Sequence, residues 1–223
     1  MNVVYLILAG IIGYFAGAIP FGYIYVKMTK GIDLRQYESG RTGGTNSFRA
    51  AGLKVGILTG FSDVFKGAAG ILLTRYLLGN MLDATTLPWA EMAAGVLSVV
   101  GHNWSIFLGW RGGAGTGPNV GWASALWWPM LPIGIVVMSG MLYFIGMASV
   151  ASLSMAFIIP LIFGIRFFAG IDPTPAYFVG GILTFLIVAW ALRPNIKRIM
   201  AGTERVVGPR ARRMKQQANN AHS

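Results

Sequence analysis

Apolar residues run along this chain in long unbroken blocks. Residues 3–26, 55–78, 87–108 and 148–168 are each apolar over about 20 positions, the length a helix needs to cross a hydrocarbon core. Residues 177–192 form a slightly shorter block. The apolar tract 120–147 is interrupted by Pro129 and Pro132 and reads as two short or tilted helices. Gly13 and Gly17, four apart in the first block, are spaced for close helix contact. That block has no basic residues before it and continues through IPFGYIYV past Ala16-Gly17-Ala18, so a retained helix is expected rather than a cleaved signal.

Composition agrees with this pattern. Of 223 residues, 55% are hydrophobic and 11% charged, against about 25% charged in a soluble domain. The expected fold class is an all-α integral membrane protein. The 18 Lys+Arg against 7 Asp+Glu give a net charge of +11, but the positives lie in two blocks that flank apolar runs. This arrangement fits membrane topology better than nucleic-acid binding. Residues 27–54 carry six basic and two acidic side chains, and the chain from Arg193 onward carries eight and one. With both blocks cytoplasmic, the N-terminus lies outside and the number of crossings is odd. Seven is the expected number, with 120–147 counted as two, and the loop around Arg111 then falls on the cytoplasmic side. No internal repeat or second domain is evident: residues 1–208 read as one membrane domain and 209–223 as a basic, disordered tail near anionic headgroups. The chain has no cysteine and two histidines, His102 and His222. Disulfides, thiol catalysis, cysteine metal sites and a histidine-based metal site are excluded.

Two loops carry candidate chemistry. In ESGRTGGTNSFR, residues 38–49, glycine frees backbone N–H groups to converge on an anion. Arg41 and Arg49 add charged donors, Ser39 and Thr45 hydroxyls, and Asn46 an amide. An ordinary membrane-surface loop is the alternative. The second loop, GHNWSIFLGWRGGAGTGPN at 101–119, sets Arg111 beside Gly112, Gly113, Gly115 and Gly117. It lacks the Lys-Ser/Thr of a nucleotide P-loop and the strand–turn–helix setting of a dinucleotide fingerprint. Two basic, glycine-rich loops on one membrane face suggest two phosphate groups held close together.

Within the blocks, Asp63 and Lys66 lie one helical turn apart and can pair, as a structural ion pair or as functional groups facing the interior. Glu91 is expected at headgroup level. His102 reads as a packing or hydrogen-bonding residue rather than a base. Trp104, Trp110, Trp122, Trp127 and Trp128 are expected in an interfacial belt. The segment LRPNIKRIMAGTERVVG, 192–208, is a basic stretch at the end of the last span and includes Asn195, Lys197, Arg198 and Glu204.

At these residues the chain resembles the bacterial acyl-phosphate:glycerol-3-phosphate acyltransferase family, over nearly its whole length up to about Gly208. The matching pieces are GAIPFG followed by Ser39-Gly40 and Gly43 through Arg49, then DVFKG, GHNW with RGG, MASVASL, and RPNIKR with GTE, in that order. The resemblance implies a seven-span enzyme of the bacterial inner membrane with a cytoplasmic active site. Such an enzyme transfers a fatty acyl chain from acyl phosphate to glycerol 3-phosphate, giving lysophosphatidic acid for phospholipid synthesis, without metal, cofactor or covalent nucleophile. It implies active-site roles for Ser39, Arg49 and Asn195. Gly40, Gly43, Thr45 and Asn46 match the surrounding loop, Gly112, Gly113 and Gly115 the phosphate-binding glycines, and Glu204 the last motif.

Three positions depart from the family pattern. Ala114 stands for a lysine, Leu192 for a histidine, and Arg41 for an asparagine. Arg41 is expected to return the positive charge missing at Ala114. The departures leave open a binding-only relative that holds acyl phosphate or a lyso-lipid. A small-anion transporter, with Asp63 and Lys66 at mid-depth, is a second alternative.

Overall fold

The computed structural model describes residues 3–220, so His222 lies outside the described residues. All regular structure among those residues is helical. Helices α1 (Val3–Ala18) and α2 (Phe21–Lys30) are separated at Ile19-Pro20. A 3-10 turn at Leu34–Gln36 leads to α3 (Gly44–Ala51), and Gly52 at φ 86° turns the chain into α4 (Leu53–Leu78). Then come α5 (Leu87–Asn103), α6 (Thr116–Leu126), α7 (Met130–Phe144) and α8 (Ala148–Phe168). The chain closes with α9 (Ala176–Ala191), α10 (Arg193–Met200) and α11 (Gly208–Asn220).

Among the described residues, three helical segments are long and apolar enough to cross a membrane: Val3–Lys30, Leu53–Met81 and Ala148–Phe168. A fourth appears if α9 and α10, bent by 66°, count as one span. The tract 120–147 is indeed divided. At 1.5 Å per residue, α6 is only about 16 Å long.

The break between α1 and α2 is closed by side chains from elsewhere. Proline supplies no N–H, so nearby carbonyls lose their helical partner. Lys66 Nζ donates to Ile19 O at 2.8 Å, and Ser105 Oγ donates to Ala18 O at 2.6 Å.

Lipid tails are as apolar as leucine, so helix association here relies on van der Waals contact between surfaces that approach closely. A Cβ on Gly13 or Gly17 would lie 2.0 Å from a carbonyl oxygen of α5, Ala94 O or Ser98 O. Gly67 and Gly121 make the same kind of contact where α4 crosses α6.

The core is built around Trp122, which is fully buried and stacked on Phe163 at 5.6 Å between centroids. Its Nε1 donates to Asn119 Oδ1 at 2.6 Å. Trp122 therefore does not belong to an interfacial belt, because Asn119 satisfies its N–H one turn away; Trp110 and Trp128 remain exposed. Glu91, expected at headgroup level, is buried within the protein, where Arg75 pairs with it and Tyr177 Oη donates to it at 2.5 Å.

The tail is helical rather than disordered from Gly208 to Asn220. Arg210 donates to Ile145 O at 3.0 Å, and Arg213 lies over the Tyr143 ring at 5.6 Å, so the end of α7 gives this helix a surface to dock on.

Candidate active site

A cavity of about 880 Å³ opens where the first loop, α6, α7, α8 and the α9–α10 corner meet. Its lining includes the polar side chains of Ser39, Arg41, Thr45, Arg49, Asp63, His102, Asn195 and Glu204. It also includes the apolar side chains of Val64, Val120, Leu131, Ile135, Met138 and Leu142.

The first loop reaches the cavity because Asn46 cinches it. Its Nδ2 lies within hydrogen-bond distance of three carbonyls, Arg41 O at 2.8 Å, Tyr37 O at 2.9 Å and Leu34 O at 3.4 Å. The amide of Asn46 thus holds the loop's shape. Gly40, at φ 68°, makes the turn and does not line the cavity. The second half of the 38–49 stretch is not loop but α3, with Gly43 as its N-cap. Arg49 sits on α3, half-buried, and its guanidinium makes no ion pair among the described residues. Burial first, and then the charge of Arg205, holds Arg49 below the usual arginine value. Arg205 itself pairs with Glu38.

At the α9–α10 corner, Glu204 accepts from Ser149 Oγ at 2.6 Å, Asn195 Nδ2 at 2.8 Å and Arg198 Nε at 2.8 Å. Burial pushes the Glu204 carboxyl up, but these three donors outweigh it and hold the group below the usual glutamate value. Ser149 and Arg198 are site residues that sequence reasoning missed. The serine-bearing segment MASVASL and the arginine of RPNIKR were their only signals in the sequence. Arg41 Nη2 donates to Asn195 Oδ1 at 2.9 Å and to Ala191 O at 2.6 Å. Its hydrogen bonds are with this corner, while Ala114 lines the same cavity from the second loop. The guanidinium reaches across the cavity to the two free acceptors there.

The second loop is organised differently. Gly112 N donates to Asn103 O at 3.1 Å and Gly113 N to His102 O at 2.9 Å, so both amides bind the end of α5. A Cβ on Gly112 would lie 1.9 Å from His102 O, and one on Gly113 would lie 2.0 Å from His102 Nε2. Gly112, Gly113 and Gly115 do not line the cavity. Arg111 belongs to a separate recess of about 320 Å³ with Asp33 and Arg35. From this loop Ala114 reaches the cavity, together with Thr116 and Gly117 in the first turn of α6, where helical N–H groups have no intrahelical partner. The two loops do touch, through Thr42 N to Gly112 O at 3.4 Å.

Asp63 and Lys66 pair at 3.0 Å, both buried, and His102 Nδ1 lies 3.6 Å from Asp63 Oδ1. Lys66 is held at the helix break, while Asp63 and His102 both line the cavity.

A family model described as glycerol-3-phosphate acyltransferase matches residues 7–202. The chain is 34% identical over 198 residues to the glycerol-3-phosphate acyltransferase of Prochlorococcus marinus (strain NATL1A), covering 88% of this chain and 95% of that protein. It is 35% identical over 206 residues to the enzyme of the same name from Thermosynechococcus vestitus, covering 90% and 94%. Among solved structures, PlsY (YgiH), an integral membrane glycerol 3-phosphate acyltransferase in its glycerol 3-phosphate form, superposes with a TM-score of 0.77 at 29% identity. That match covers 91% of this chain and 96% of the other. The lysophosphatidic acid form gives 0.75 at 28% identity.

Proposed function

This chain belongs to the glycerol-3-phosphate acyltransferase family, and on that premise we propose that it transfers a fatty acyl group from acyl phosphate to glycerol 3-phosphate. The products are lysophosphatidic acid and inorganic phosphate. One observation carries the reading: a single cavity is lined both by arginines and by an apolar helix face. That combination suits a donor with an anionic head and a fatty tail. On α7, Leu131, Ile135, Met138 and Leu142 recur at helical spacing and form that face. A tail already dissolved in lipid gains little from another apolar surface, so the apolar face orients the chain and the cations supply affinity.

Two groups of cations serve the two substrates. Arg49 and Arg205 form one, and Arg41 with Arg198 the other, with Glu204 between them. The glycerol 3-phosphate hydroxyl oxygen attacks the acyl carbonyl carbon. The carbon–oxygen bond to phosphate breaks, phosphate leaves with the bonding pair, and the hydroxyl proton passes to it. Holding the two reactants together supplies much of the rate. Arg49 and Ser39 stabilise the charge that develops on the carbonyl oxygen and the leaving group. Glu204 accepts three hydrogen bonds, which fits a role in orienting Asn195 and Ser149 rather than in removing a proton.

In this reading the chain crosses a bacterial inner membrane seven times, by α1–α2 together, α4, α5, α6, α7, α8 and α9. Its N-terminus is outside, and α3, α10, α11 and the active face are cytoplasmic. The basic blocks at 27–54 and beyond 193 support that orientation.

The test is acyl transfer by purified protein in detergent, from palmitoyl phosphate to labelled glycerol 3-phosphate. Labelled lysophosphatidic acid is expected. Ser39→Ala and Arg49→Ala are each expected to lower kcat/KM by roughly ten-fold or more, the loss of one hydrogen bond to a charged group. No product would overturn the reaction, and activity indifferent to both changes would remove these two residues from the site.

A further inference from the structure

Arg41 is held in an unusual way for a loop residue. Two acceptors on the α9–α10 corner, Ala191 O and Asn195 Oδ1, both take hydrogen bonds from Nη2. Its Nη1 is buried and has no partner. The guanidinium is planar, so fixing Nη2 also fixes the direction of Nη1. On the corner itself Leu192 is apolar and Asn195 Nδ2 is engaged by Glu204, while Arg198 gives its Nε to Glu204 and keeps its Nη groups as the other charged donors there. All of these residues line the cavity, as does Arg41. A buried, charged donor left without an acceptor is costly, and the cost disappears when a ligand oxygen arrives.

We infer that Arg41 contacts substrate, with Nη1 donating to a phosphoryl oxygen bound at the α9–α10 corner while Nη2 orients Asn195. The residue joins two roles: an anion-binding donor and a strut that fixes the Asn195 amide so that its Nδ2 faces Glu204. Beside apolar Leu192, this donor reaches the corner from the opposite loop. The inference rests on the acyltransferase reading only for the source of the phosphate, which is either the acyl phosphate or the glycerol 3-phosphate.

The experiment uses the full chain in detergent and measures both KM values, with Arg41→Ala and Arg41→Lys beside the wild type. Arg41→Ala is expected to raise one KM by roughly ten-fold or more. Arg41→Lys keeps the charge but loses the fork, so it is expected to recover part of that KM while kcat stays low, because lysine cannot also hold Asn195. The KM that moves identifies the donor or the acceptor as the source. A lower kcat with both KM values unchanged would overturn the contact and leave only a strut. If Arg41→Ala does not fold, Arg41→Lys decides the same point, and its KM values must not both match the wild type. Protection against thermal unfolding by glycerol 3-phosphate and by inorganic phosphate is measured alongside. If the wild type forms no product, the reaction fails separately. Protection lost in the variant then still supports the Arg41 site, and protection by both probes unchanged from the wild type counts against it.

Discussion

The two glycine-rich loops look alike as sequence and act differently as structure. The segment 38–49 directs Ser39, Arg41, Thr45 and Arg49 into the cavity, and its shape is held by the Asn46 amide. In the segment 101–119, Gly112 and Gly113 direct their amides at α5, and Arg111 lies outside the cavity. Glycine and arginine together therefore signal two things: a loop that presents donors to a ligand, and a loop that must fit against another backbone. The destination of the N–H groups distinguishes them.

The largest effect that sharpens this contrast is expected at Gly112. In Gly112→Ala the new Cβ would fall 1.9 Å from His102 O, a backbone atom that cannot swing aside. A loss of about 3 kcal/mol is expected, the upper range for forced overpacking, read as a lowered Tm in detergent. Wild-type stability in that variant would break the close-packing account of the second loop. A smaller effect is expected on the side of the first loop, at Glu204. Its carboxyl is held below the ordinary glutamate value, so its stabilising contribution is complete above that value, about 4.3, and is lost as pH falls through the folded value. Glu204→Gln is expected to lower Tm at neutral pH and to flatten its fall in acid, checked by melting curves across pH. The smallest effect is expected at Arg111. Arg111→Ala should change both KM values by less than about two-fold, as for a surface residue outside the site. A ten-fold rise would return the second loop to phosphate binding.

Much of the architecture was legible because membrane helices need length and small residues. The apolar blocks, the division at Pro129 and the close contact of Gly13 and Gly17 all come from local sequence. The rest depends on distant partners. Glu91 is buried only because Arg75 and Tyr177, the latter 86 residues away, come to it. The indole of Trp122 meets Asn119 only in the folded core. Helix α3 begins in a glycine pair with low helix propensity, and its place depends on tertiary contact, with Phe48 packed where Gly56 leaves no side chain in the way. At the site, the residue types of both motifs were visible, but the link from Arg41 to Asn195, 154 positions apart, was not.

The interrupted first helix has a consequence for how the protein is made. Its exposed carbonyls are met by Lys66, 47 residues later, and by Ser105, 87 residues later. A nascent chain leaves the ribosome from its N-terminus, so this segment enters the bilayer long before either side chain exists to greet it. Until α4 and then the loop after α5 are synthesised, the break must stay near water or lean on the insertion machinery. Final seating of this segment therefore waits on residues translated well after it.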